Sequence, residues 1–314
     1  MNQTTTTGAR AIALDDLVGD ARRRRRETIV RNLFKGAAVA SVIISAAIVA
    51  SLVGKAMTFV TAVDLSALWS SGWFPRRDLF DIKTIVAGTL IITAIAMLVA
   101  TPLGLGAALY LSEYAKPRVR RVLKPTLEIL ASIPSVVLGV FALTFISPDI
   151  VQALFSKAGV FNLLAAGLAV GVLVTPLVAS ISEDAMRSVP SALREASYGL
   201  GARKRSTVLK VVFPAALSGI VASLIIGISR AIGETMVVAI VAGGTGGSEL
   251  TLDPTQSGQT MTGAMTALAI GSDQVRGSGN AFPSLFFVGL LLFLMTLGLN
   301  VLSERVVRRF RQRY

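Results

Sequence analysis

TIVAGTLIITAIAMLVATPLGLGAALYLS, Thr84 to Ser112, runs for 29 residues without a charge. As a single helix it would reach roughly 43 Å at ~1.5 Å per residue. A bilayer core of about 30 Å takes roughly 20 helical residues, so this stretch reads as a membrane span with length to spare. Pro102 lies near its end, which predicts a span to about Thr101 and then a kinked extension toward the interface. Similar runs lie on either side: Gly36–Gly54, Ile129–Pro148 with Pro134 inside it, Ala158–Ser182, Val211–Gly243 and Gly277–Ser303. The expected fold is all-α, a polytopic membrane protein with six transmembrane helices. The first run has a secretory signal as its alternative, but the long polar stretch before it favours an uncleaved helix.

Composition agrees. The 314 residues are 53% hydrophobic with a mean hydropathy of +0.68, yet they carry a net charge of +13. Only 16% are charged, against about a quarter in a soluble protein. That argues against a soluble nucleic-acid binder despite the basic pI, and no nucleic-acid partner is expected. The chain has no Cys and no His. Disulfides, thiolate or imidazole metal sites, Cys nucleophiles and His-based catalysis are thereby excluded. No catalytic residue, metal site or cofactor is expected, and the chain is read as a non-enzyme.

The basic residues set the expected topology. Of 31 Lys and Arg, 24 fall in the N-terminal tail, the second-to-third and fourth-to-fifth connections and the C-terminal tail, and 6 fall in the alternate connections. This asymmetry places both termini in the cytoplasm. Arg22 to Arg26 reads as a topology anchor touching anionic lipid head groups. Residues 1–30 read as a disordered basic cytoplasmic tail and residues 31–314 as the transmembrane domain. Trp69 and Trp73, between the first two spans, fit an interfacial belt, with a partner contact as the other reading. The Gly-, Ser- and Thr-rich segment 244–280 carries an apolar stretch, Met261 to Ile270, suited to a short helix.

The remaining cation, Arg230, lies inside the fifth run with Glu234 four residues on. As one helix, this spacing puts both on one face, close enough to pair. A packing ion pair is one reading. The other is a charged site on a solute path, the default for ionisable groups within a span. A guanidinium fork matches an oxyanion such as phosphate, and a carboxylate nearby accepts a hydrogen bond from a protonated phosphate oxygen, which sulfate lacks. Gly227 and Gly233 flank the pair and permit close helix approach.

Segment 183–214 holds both signs of charge and reads as a helix-turn-helix on the membrane surface, with Pro190 at its start and Gly199 and Gly201 allowing the turn. Its pattern Glu195-Ala196-Ser197, Gly201 and Val211-x-Phe213-Pro214 resembles the EAA loop of ABC-importer permeases, with Ser197 and Phe213 as mild departures. SEYAKP (Ser112–Pro117), IPSVVLG (Ile133–Gly139), ISEDAMRSVPSALREA (Ile181–Ala196) and RAIGETM (Arg230–Met236) narrow the likeness to phosphate-specific permeases, nearer the C-type (PstC-like) subunit. The likeness runs from about Thr84 to the C-terminus.

That resemblance implies the type I ABC importer permease fold in the plasma membrane of a bacterium. It implies an anion path through Arg230, Glu234 and Thr235, and ATPase coupling through Glu195, Ala196, Gly201 and Pro214. The implied partners are a second, A-type permease subunit, two ATP-binding cassette ATPases, an extracytoplasmic phosphate-binding protein and phosphate itself. The chain supplies no phosphate-cradling Gly-Lys-Ser/Thr loop; its one Gly-Lys pair, Gly54-Lys55, is followed by Ala56. Rival readings are a sulfate or molybdate permease and a passive anion channel.

Overall fold

The computed structural model describes residues 21–244, 246–271 and 279–310. The described residues before Leu52 form one compact unit and those from Leu52 onward another. Helix α1, Ala21–Ala62, begins in the first and ends in the second. Residues 21–30, expected to be disordered, are therefore helical: their Arg-rich sequence is built of good helix formers leading directly into the apolar run. The rest of the expected tail, residues 1–20, lies outside the described residues.

In the second unit α2 is Ile82–Leu109 and continues through wider i→i+5 turns to Tyr114. Pro102 lies inside α2 without ending it. The expected division at Thr101 is thus replaced by one 33-residue helix, whose polar end at Ser112 and Glu113 is suited to leave the hydrocarbon. Helix α3, Pro117–Ala131, has no buried residue and is amphipathic. Pro134 precedes α4, Ser135–Phe141, which widens over Ala142–Gln152. The third span thereby starts six residues later than the apolar run Ile129–Pro148 suggests, because Pro134 caps a helix instead of bending one.

Helix α5, Leu163–Arg187, is continuous through Pro176. Then come α6, Ser191–Gly199, and α7, Lys204–Ala215. Helix α8, Leu217–Ile232, leaves α7 at 68°. Helices α9, Met236–Val241, α10, Met261–Ala269, and α11, Ala281–Phe310, complete the chain. Counting the bent α7–α8 pair as one span gives the six spans expected.

The core forms where α2, α5, α8 and α9 meet, around Ile92, Ala96, Ala100, Val170, Val174, Ala231 and Val237. Small residues allow this approach, as membrane helices lacking a hydrophobic drive between them require. A Cβ on Gly167 would come within 2.7 Å of Ile95, one on Gly171 within 2.8 Å of Val99, and one on Gly227 within 3.0 Å of Val178.

A second cluster caps the bundle at the end of α1. Strands β1, Trp73–Phe74, and β2, Leu79–Phe80, pair antiparallel, with Trp73 opposite Phe80. Phe80 meets Phe59 and Trp73 edge to face, at 4.9 and 5.7 Å between centroids, and all three are fully buried. Trp73 is thus a packing residue, whereas Trp69 is 65% exposed. Only one of the two tryptophans fits an interfacial role.

Candidate functional site

The fifth apolar run is not one helix. Pro214 lacks the N–H that a continuing helix needs, and the chain bends just beyond it between α7 and α8. Helix α8 then stops at Ile232, and Gly233, Glu234 and Thr235 lead into α9. Arg230 and Glu234 consequently form no ion pair, contrary to the i,i+4 expectation. Each sits instead on a helix end. Arg230 is exposed on the last turn of α8, where the dipole favours a cation. Glu234, 7% exposed, accepts from the backbone N–H of Met236 at 3.2 Å and Val237 at 3.4 Å through Oε1. It supplies the cap that α9 otherwise lacks, where the dipole favours an anion. The break is pinned from α10, since the Thr262 hydroxyl donates to the Glu234 carbonyl at 2.8 Å.

A cavity of about 310 Å³ opens beside the break, lined by Gly233, Thr235, Thr262, Met265, Thr266, Ala269, Leu285 and Leu292. Of the three residues expected on the path, Thr235 lines this space; Glu234, buried between the lining residues Gly233 and Thr235 in sequence, and Arg230, one turn back on α8, are not walls of it. Broken helices of this kind expose backbone groups within a span only where a cavity or neighbouring protein satisfies them.

The segment leading to α10 is also built into the bundle. Backbone N–H groups of Gly159, Leu163 and Leu164 donate to the carbonyls of Thr255, Gln256 and Pro254, and Gly258 donates to Ala242. The Met261 N–H donates to the buried Thr89 hydroxyl of α2 at 3.0 Å. Thr260 caps α10, accepting from Gly263 at 3.0 Å. The helix expected around Met261 to Ile270 is therefore present, and it starts inside the protein.

The residues expected to couple lie on the basic α6–α7 connection. Glu195 and Ala196 are exposed on α6, and Pro214 is exposed on α7. Gly201 makes the turn between the two helices at φ +78°, a conformation costly for residues with a Cβ. Next to the turn, Leu200 is 90% exposed. The α6–α7 turn thus offers an exposed leucine followed by the exposed basic run Arg203, Lys204 and Arg205.

Sequence reasoning missed what holds α6 in place. Arg194 donates to Glu113 at the end of α2 at 2.9 Å, to the Val189 carbonyl at 2.6 Å and to the Met186 carbonyl at 2.8 Å. Glu183 of α5 is fully buried, yet it receives Arg120 through two nitrogens at 2.8 Å and Lys124 at 2.8 Å, both from α3, with Arg187 at 3.8 Å. Lys124 also bonds Asp184 at 2.5 Å. Burial alone would lower the Lys124 pKa, but the hydrogen bonds to Asp184 and Glu183 outweigh it and hold the ammonium above its ordinary value. Its contribution is present below the unfolded-state pKa and is lost only as pH rises through the higher folded value. The network is therefore unaffected by titration of Lys124 at neutral pH. Its partners lie some sixty residues apart in sequence, and the basic character of α3 was the one available signal.

Comparison with known proteins follows the same lines. Residues 100–314 match the family described as the binding-protein-dependent transport system inner membrane component. The phosphate transport system permease protein PstC of Pasteurella multocida is 29% identical, over 91% of this chain and 93% of its own length. The PstC 1 protein of Mycobacterium tuberculosis is 34% identical over 72% and 71%. A probable ABC transporter permease, YqgH of Bacillus subtilis, is 35% identical over 76% and 77%. Among solved structures, a bacterial alginate ABC transporter in complex with an alginate-bound periplasmic protein covers 91% of the chain with a TM-score of 0.63 at 16% identity. The inward-facing MetNI methionine ABC transporter covers 73% with a TM-score of 0.53 at 21% identity. These two fix the fold, which is that of type I ABC importer permeases. The chain belongs to the binding-protein-dependent transport system inner membrane components and, within them, stands with the PstC-type phosphate permeases.

Proposed function

We propose that this chain is the transmembrane permease subunit of an ATP-driven phosphate importer, with its anion path at the α8–α9 break and its coupling surface on α6 and α7. The observation that carries the reading is the break itself: a cation on the last turn of α8, a carboxylate capping α9, and a cavity lined by three threonines beside the break. Discontinuous helices that present such ends form substrate sites near the bilayer midplane in many transporters. Arg230 supplies a fork of donors for a phosphate oxygen. Glu234 keeps Oε1 on α9 and offers the other oxygen to a protonated phosphate, and the Thr235 hydroxyl, which donates to the Gly233 carbonyl at 3.2 Å, turns from it to donate to the anion.

In this reading the chain is a multi-pass protein of a bacterial plasma membrane with both termini cytoplasmic, and it binds no ATP itself. It works with an A-type permease, two ATP-binding cassette ATPases and an extracytoplasmic phosphate-binding protein. The ATPases close on ATP, and the α6–α7 surface, with Glu195, Ala196, Gly201 and Pro214, passes that motion to the spans. Arg194 ties α6 to α2 and α5, so the motion reaches the helices that wall the core.

Phosphate uptake by proteoliposomes containing all subunits tests the substrate. Uptake is expected to need ATP and to persist in excess sulfate or molybdate. Equal competition by sulfate overturns the phosphate assignment, and uptake without the ATPases points to a passive channel. For the coupling surface, Gly201→Val places a β-branched residue at positive φ, about 1–2 kcal/mol of strain. It is expected to lower ATPase co-purification several-fold while membrane insertion stays normal. Parental co-purification counts against docking at this turn.

A further inference from the structure

Four buried side-chain polar atoms among the described residues lack a hydrogen-bond partner, on Ser70, Trp73, Asp81 and Gln259. The first three belong to the β1–β2 cap and the adjoining start of α2. Gln259 is 2% exposed and lies in the segment that enters the bundle ahead of α10. The atom left without a partner is the amide oxygen, Oε1, a buried acceptor with no donor. Native interiors rarely leave one.

The position is built, not loose. Gly88 of α2 leaves no room for a Cβ against the Gln259 carbonyl, and Gly244, at φ +84°, brings the backbone to where a Cβ would sit 2.9 Å from that of Gln259. Gln259 lines a cavity of about 60 Å³, which shares Thr266 with the larger cavity beside the α8–α9 break. At ~10–15 Å³ per water-sized group, the space takes about four to six such groups, close to the size of a tetrahedral oxyanion without its water. From Gln259 through Thr266 to Thr262 and Thr235, the polar side chains are neutral. Neutral groups suit a route whose stations must bind weakly enough to release.

We propose that Gln259 is a second station on the anion path, positioning a tetrahedral oxyanion that still carries a proton before it passes Thr266 to the cavity at the helix break. This rests on the transport reading above. An amide offers both donors and an acceptor. Hydrogen phosphate likewise both accepts and donates, whereas sulfate only accepts, so the unpartnered Oε1, an acceptor, favours the former.

The test uses the assembled complex in proteoliposomes with inorganic phosphate as probe. Gln259→Leu removes the amide at similar volume. It is expected to lower phosphate moved per ATP hydrolysed at least ten-fold while the ATPases co-purify as in the parent. A parental ratio in Gln259→Leu overturns the station. Because the chain has no cysteine of its own, Thr266→Cys gives a second readout that does not depend on Gln259→Leu assembling. A sulfonate-bearing thiol reagent is expected to label it, and saturating phosphate to slow labelling at least five-fold. Labelling indifferent to phosphate counts against the route. A parent complex that takes up no phosphate overturns the transport reading and the station with it. Normal parental uptake with an indifferent Gln259→Leu overturns the station alone.

Discussion

Glu183→Leu is expected to lower the melting temperature of the detergent-solubilised protein by about 4–10 °C, from a loss of roughly 2–3 kcal/mol. The Glu183 carboxylate is fully buried and receives Arg120 and Lys124 at 2.8 Å. Removing one partner of a buried ion pair typically costs about 3–5 kcal/mol, because the other is left uncompensated. Here the cations keep 28% and 23% exposure, so solvent recovers part of that loss. Lys124 retains Asp184, but that carboxylate is 62% exposed and holds it less firmly. Asp184→Asn is accordingly expected to shift the melting temperature by about 2 °C or less. Thermal unfolding followed by intrinsic fluorescence reads both variants. A Glu183→Leu shift no larger than that of Asp184→Asn sinks the account. The consequence reaches the function, since this cluster fixes α3 to the end of α5, the helix from which α6 is hung through the Arg194 bonds to Met186 and Val189.

The sequence carried the span count because hydropathy and run length are local quantities, and six apolar runs became six spans. It carried the α6–α7 turn for the same reason: Pro190 and Gly201 act on their own dihedral angles. What it misplaced depended on neighbours. Pro134 and Pro102 are alike in composition of context, yet one starts a helix and the other lies within one. The Arg230–Glu234 pairing assumed an unbroken helix, and Gly233 with the capping bonds of Glu234 ends it. Trp73 and Trp69 are four residues apart and differ completely in burial because only the former enters the Phe59–Phe80 cluster. The Glu183 and Gln259 environments join segments distant in the chain, and no periodicity announces such contacts.

Arg230→Gln is expected to reduce phosphate uptake by about 10- to 150-fold, the equivalent of a charged hydrogen bond worth about 1.5–3 kcal/mol. The structure makes this variant unusually clean. Arg230 is exposed, forms no ion pair among the described residues, and gains from its own chain chiefly the favourable end of the α8 dipole. That gain is about 0.3–1 kcal/mol at an exposed position, too little for its loss to unfold the protein or prevent assembly. Arg230→Lys keeps the charge but loses the planar fork, so its uptake should fall between the parent and Arg230→Gln. Glu234→Ala is a different experiment, because that carboxylate also caps α9. It should lower stability by about 1 kcal/mol as well as uptake. Measured side by side in proteoliposomes, with co-purification and melting temperature as controls, the variants separate two roles. Uptake lost at parental stability places Arg230 on the anion path. Parental uptake by Arg230→Gln removes it from that path, and the α8–α9 break would then have to hold its anion through hydroxyl and backbone donors alone.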